Sequence, residues 1–219
     1  MHEPFAQWAV EDDFVNGARP DLAAAGVELV ADVSAHEAMK LRMLNGTHSA
    51  LAYTGYLAGH ETVADTVGDP VFAAYVRRLW AEIIPAVTAP EGVALDAYAE
   101  ALFARYSNPS IRHRTWQIAM DGSQKLPQRL LGTLRINMDE GRASPCLMLA
   151  VAAWMRYVTG IDEQGAPIDV RDRSDHKQLR VPRPDPNGPW QPTWPNTRNP
   201  PAARRRDVLG SNKRRVCRR

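Results

Sequence analysis

The sequence predicts an all-α protein, a multi-helix bundle followed by a basic tail with no fold of its own. Apolar residues recur at helical spacing from Ser34 to Gly160, and cap-and-proline pairs punctuate that stretch at Asp69-Pro70 and Ser144-Pro145. No alternation of strand and helix and no internal repeat competes with this reading. After Asp172 the composition changes abruptly.

Residues 1–33 read as an irregular lead-in. Short β-like runs, Phe5 to Val10 and Val27 to Val33, are separated by turn signals at Asn16-Gly17 and Arg19-Pro20, which predicts weak pairing at most. Ser34 is a natural N-cap for the first helix. Asp69 and Pro70 open a helix through Phe72, Tyr75, Val76, Leu79 and Ile83 that Pro85 closes, and the next runs from Leu95 to Tyr106. Ser110 is expected to cap a helix ending near Met120, before the Asp121-Gly122 break. Ser123 then starts a longer one to about Asp139, with Pro127 placed in the first turn, where amides lack helical partners. Ser144-Pro145 opens the last helix, Cys146 to Val158, which Gly160 ends. Being apolar almost all round, it is expected at the buried centre of the bundle. Residues 34–172 are therefore the helical domain.

With 219 residues, 44% of them hydrophobic, the chain can bury one good core and carry an appendage. Its net charge of +2 hides a division: residues 173–219 hold 13 Lys and Arg against three Asp, and the preceding 172 hold 14 against 22 acids. The tail also contains eight of the 17 prolines and almost no aliphatic residues, so burial cannot offset the entropy of ordering it, and it is expected to be disordered. Its basic residues, with Trp190 and Trp194, are ingredients of phosphate contacts and base stacking, but the irregular pattern does not argue for nucleic acid as a partner. Cys146 and Cys217 lie far apart, which suggests neither a disulfide framework nor a zinc site. The longest apolar run, Cys146 to Trp154, is too short for a bilayer, so a cytoplasmic protein without membrane contact is expected.

The chemistry concentrates between Glu37 and His48. On a regular α-helix, with Lys40 set at zero, Glu37 falls at roughly 60°, His48 at roughly 80° and Asn45 at roughly 140°, one polar sector. A lysine desolvated in an apolar bundle has its charged form disfavoured, which is what a general base needs near neutrality. An asparagine amide can donate to a developing alkoxide and a histidine can hold a neighbouring hydroxyl, so Lys40, Asn45 and His48 suit alcohol-to-ketone oxidation. The competing reading makes Lys40 a snorkelling helix lysine and the others ordinary satisfied polar groups. Lys125 alone reads as a solvent-exposed first-turn lysine, His113 and Arg114 as a solvated helix face, and His36 as a surface residue beside the first cap.

Lys40-Leu-Arg-Met-Leu-Asn45-Gly-Thr-His48-Ser-Ala-Leu-Ala-Tyr53 resembles the signature of the long-chain mannitol dehydrogenase family. Glu3-Pro-Phe-x-Gln7-Trp8, Tyr106-Ser-Asn108-Pro109 and Asp121-Gly-Ser-Gln-Lys125-Leu-Pro match in the same order. The resemblance implies a zinc-independent enzyme using NAD or NADP on polyols or sugar acids. It makes Lys40 the general base, Asn45 an oxyanion donor, His48 a substrate-hydroxyl ligand, Glu37 a proton-path carboxylate and Lys125 a substrate-binding lysine. Polyol-oxidising relatives tend to have arginine where this chain has Gln117, and the run from 117 to 128 leans toward the fructuronate and mannonate branch.

That family normally carries an N-terminal dinucleotide-binding domain, yet no Gly-x-Gly-x-x-Gly turn between strand and helix occurs here. The expectation is a C-terminal catalytic part that holds nicotinamide mainly through another domain, with a separately encoded Rossmann domain as one candidate partner. The Arg/Pro-rich text after Asp172 resembles translation in a shifted frame. The alternative is a non-catalytic helical fragment, a pseudogene product that at most docks with another chain.

Overall fold

The computed structural model of the protein describes residues 7–172. The calls on residues 173–219, and the part of the lead-in before Gln7, lie outside the described residues.

In the lead-in, β1 (Ala9–Glu11) pairs in parallel with β2 (Glu28–Val30), Val10 opposite Leu29. An αL residue at Asn16, before Gly17, and another at Gly26 make the turns between them. The helical part then runs as α1 (Ser34–Met39), a π-helical turn Lys40–Gly46, α2 (Thr47–Leu57), α3 (Val63–Gly68), α4 (Pro70–Ile83), α5 (Leu95–Tyr106), α6 (Thr115–Ala119), α7 (Gly122–Leu126), a second π-helical turn Pro127–Leu131, α8 (Gly132–Asp139) and α9 (Pro145–Tyr157). Among the described residues this is an all-α bundle with one two-stranded ribbon.

Local chemistry explains several boundaries. Asp69 accepts from Val71 N at 2.8 Å and Pro70 takes the first helical position, as the sequence predicts. Ser34 differs from expectation: it lies inside the first turn, and the Asp32 carboxylate receives its N–H at 2.8 Å. Ser110 caps nothing, because α6 begins only at Thr115. The helix that Ser123 was expected to cap starts at Gly122, so Pro127 falls well beyond the first turn. The chain absorbs it with a π turn in which Pro127 O accepts from the Gly132 N–H.

The N-terminus of α9 is capped from far away. Ser144 makes no cap bond of its own; the Glu82 carboxylate on α4 accepts from Cys146 N at 2.8 Å and Leu147 N at 2.9 Å. Asn137 Nδ2 donates to both Glu82 O and Ser144 Oγ, each at 2.8 Å, and ties α8 into the same knot.

The bundle's centre is α2 rather than α9. Thr47, Ser49, Ala50, Leu51, Ala52, Tyr53 and Gly55 are all buried, because α3, α4, α6 and α9 surround that helix. Helix α9 buries Leu147, Ala150, Ala153 and Tyr157 but leaves Met148 60%, Leu149 52% and Met155 43% exposed. An all-round apolar composition therefore hid a one-sided helix. His36 is also corrected: it is buried, with Nε2 3.5 Å from the Glu28 carboxylate. No helix among the described residues is long and apolar enough to cross a membrane.

Candidate active site

The segment that carries Lys40, Asn45 and His48 is one continuous helical rod whose middle is widened. Lys40–Gly46 is π-helical and runs into α2 without a break, so its residues advance by less than the regular 100° used for the sequence-based wheel. Tyr106 on α5 donates its hydroxyl to Leu44 O at 2.9 Å, and Trp80 Nε1 donates to Thr47 Oγ1 at 2.9 Å, fixing the rod at the end of the π turn.

The two π turns pack on each other. Gly46 is the point of closest approach: a Cβ there would lie 2.7 Å from Arg129 O and 3.5 Å from Leu130 Cδ2. Arg129 also donates Nη1 to Ser49 Oγ at 3.1 Å. Residues near Lys40–Gly46 and residues following Lys125 are thereby held at one place.

His48 lies on the first turn of α2 with its ring 4.8 Å from that of Tyr106 and 5.3 Å, edge-on, from that of His113. Its Nε2 is shut from solvent and has no hydrogen-bond partner. Burial first, then the positive charge of His113, Arg105 and Arg129, pushes its pKa down to about 3, so the ring is neutral at physiological pH. His113 is thus part of the His48 surroundings, not the solvated face expected of it.

Lys125 is half-buried on α7. Its Nζ donates to Met120 O at 2.6 Å and Ile118 O at 3.4 Å. Helix α6 is so short that its last carbonyls lack helical partners; Lys125 takes two, and Tyr53 OH takes Ala119 O at 3.0 Å. Burial and the nearby Arg129 push the Lys125 pKa down, against the pull of Asp121 and Asp172. Gly122 passes so close to Tyr53 OH and Trp154 Nε1 that a Cβ would collide with both, which fixes where α7 starts.

The remaining predicted positions are more open. Asn45 is half-buried; Glu37, Lys40 and Gln117 are exposed. The desolvation expected for Lys40 is therefore not provided by these residues. Among the described residues no hydrogen bond or ion pair joins any two of Glu37, Lys40, Asn45, His48, Gln117 and Lys125. The fold brings their elements together, through α2 against α6 and π turn against π turn. Around His48 and Lys125 the structure adds His113 and Arg129, which the sequence reading did not place there, and Tyr106, which it had met only within the Tyr106-Ser-Asn108-Pro109 match. Arg129 left a sequence signal, a charged side chain one helical turn beyond Lys125.

Among the described residues no group of three or more His, Cys, Asp or Glu is gathered as a metal ion would require. The parallel strands β1 and β2 are joined by single 3-10 turns rather than by a helix whose first amides could face a pyrophosphate, so these residues do not fit a dinucleotide.

The family model for the mannitol dehydrogenase C-terminal domain matches residues 32–207. D-mannonate oxidoreductase of Escherichia coli K12 is 58% identical over 171 residues, 78% of this chain and 35% of that protein. Mannitol dehydrogenase DSF1 of Saccharomyces cerevisiae is 40% identical over 173 residues, again 78% of this chain, and 34% of its own length. The ternary complex of Pseudomonas fluorescens mannitol 2-dehydrogenase with NAD and D-mannitol superposes with a TM-score of 0.74 at 36% identity, covering 81% of this chain and 36% of that one. The chain thus spans about a third of the length of the curated relatives it matches.

Proposed function

Because the chain belongs to the mannitol dehydrogenase family and carries its C-terminal domain, we propose that residues 34–172 form the substrate-binding and proton-handling side of an NAD(P)-dependent oxidoreductase. The reaction interconverts a secondary alcohol and a ketone of a sugar acid or polyol. Mannonate and fructuronate are favoured over mannitol and fructose by the identity to D-mannonate oxidoreductase and by Gln117. The observation that carries the reading is the single rod bearing Lys40, Asn45 and His48, locked by its π turn against the turn that follows Lys125.

In this reading Lys40 takes the hydroxyl proton of the alcohol and returns it in the reverse direction, while Glu37, exposed one turn earlier, passes it to solvent. Asn45 donates to the oxygen as it becomes an alkoxide. The neutral His48 ring holds an adjacent substrate hydroxyl. Lys125 exchanges a backbone carbonyl for a substrate oxygen, and Gln117 stands at the rim. NAD or NADP is bound outside the described residues, by a domain of the same or a separate chain. Such a domain, seated over the exposed Lys40, would supply the desolvation that makes a lysine amine available as a base.

The exposure of Lys40 also favours one other reading, a non-catalytic helical fragment that docks with a nucleotide-binding chain. A chimera separates them. Residues 1–172 replace the matching third of E. coli D-mannonate oxidoreductase, and NAD reduction is followed with D-mannonate and D-mannitol. Turnover that Lys40→Ala abolishes supports the enzyme; a folded chimera inert toward both substrates supports the fragment.

A further inference from the structure

Arg129 is a strongly charged group at this site to which the reading above gives no task. It stands on the second π turn, one helical turn from Lys125, and its side chain is half-buried. Among the described residues it donates to a neutral hydroxyl, Ser49 Oγ at 3.1 Å, and no carboxylate pairs with it. Several arginines elsewhere in the domain meet acids at the surface, Arg19 with Asp12, Arg77 with Glu100, Arg156 with Glu163 and Arg171 with Asp169, while the half-buried Arg42 donates to the Ala86 carbonyl beside the bundle. Two acids act on Lys125 and Tyr53 instead. Asp172 is engaged by Ser123, accepting from its N–H at 2.8 Å and from its hydroxyl, and Asp121 sits at the αL turn before α7.

A guanidinium presents five donors in a planar fork, and taking it out of water without an anion is unfavourable unless something arrives to pair with it. Arg129 is also placed to meet a substrate. Its charge acts on both His48 and Lys125, and its backbone carbonyl touches the first π turn at Gly46.

We propose that Arg129 receives the carboxylate of a sugar-acid substrate and so sets the preference for an aldonate or keto-uronate over an uncharged polyol. This rests on the substrate-site reading given under Proposed function. A carboxylate satisfies the fork through two parallel charge-assisted bonds. A polyol leaves the cation desolvated and unpaired, and that asymmetry is the source of discrimination. Ser49 holds the guanidinium from the buried side and leaves the rest of the fork for the ligand.

The test uses the full 219-residue chain, titrated with D-mannonate and with D-mannitol while the ring C–H resonances of His48 and His113 are followed by NMR. The expected result is a mannonate midpoint at least about tenfold below that of mannitol, rising with added salt while the mannitol midpoint stays put. Arg129→Gln removes the difference, raising the mannonate midpoint and lowering that of mannitol, and Arg129→Lys restores part of it. Should Arg129→Gln fail to fold, the salt dependence and the lysine variant carry the decision. Equal midpoints in the unaltered chain, or a mannonate preference that survives Arg129→Gln, overturns the role of Arg129 and keeps the substrate site. Resonances that respond to neither ligand remove the substrate site as well.

Discussion

Gly46 and Arg129 stand so close that a Cβ on the glycine would lie 2.7 Å from the arginine's carbonyl oxygen. The obstacle is backbone, which cannot swing aside as a long side chain can. Replacing Gly46 by Ala therefore sets a helix-propensity gain of about 1 kcal/mol against an overpacking penalty of about 1–3 kcal/mol. The expected net result is a lower urea midpoint with an unchanged m-value. A midpoint equal to or above the original would show that the two π turns separate freely.

Glu82 supplies the cap that Ser144 does not, so the two residues should differ on mutation. Glu82→Ala leaves two amides of a partly buried helix end without an acceptor and is expected to destabilise by about 1–2 kcal/mol. Glu82→Gln keeps one acceptor oxygen and should lose less. Thermal unfolding ranks the variants; Glu82→Ala within about 0.5 kcal/mol of the parent would show that water caps α9 equally well.

His48 makes a directional prediction for pH. Its folded pKa is lowered from 6.5 to about 3, so below pH 6.5 the unfolded chain binds a proton that the folded chain refuses. The stabilisation is complete above pH 6.5 and is lost progressively as pH falls toward 3. Urea unfolding of the parent should therefore weaken more steeply across this window than that of His48→Gln, in which the titrating group is gone. Parallel curves for the two would mean that His48 is not enclosed in solution.

In the chimera described above, Lys40→Ala should lower kcat by about 10²–10⁴-fold and Asn45→Ala by about 10²–10³-fold, since each removes help given only in the transition state. Lys125→Met should act more on KM, because a substrate ligand contributes to ground and transition state alike. Turnover surviving Lys40→Ala would assign the base to another group.

What could be read in advance was local. Asp69 and Pro70 announce α4 because cap and proline act within one turn, and Leu95 to Tyr106 is bounded as its periodicity indicates. What could not be read depends on partners distant in sequence. Glu82 caps α9 from 64 positions away, and α9 shows an exposed face because the bundle closes around α2 instead. His36 looked like a surface residue until β2 brought Glu28 beside it. The motif Lys40, Asn45, His48 falls on one continuous helical rod, yet burial of Lys40 was an expectation that these residues by themselves do not meet. The positions of Arg129 and His113 beside α2 emerge only where α5, α6 and the second π turn converge on that helix.

The widened turn between Lys40 and Gly46 gives the motif's spacing a second meaning. Removing a single residue there would let the rod relax to regular α-helix, and everything on its N-terminal side would turn by about 100° relative to α2. Lys40 would then face another direction while His48, anchored by Tyr106 and the core, stayed where it is. Lengthening or shortening that stretch is a rotary adjustment, and the interval between lysine and histidine is an angle written as a residue count.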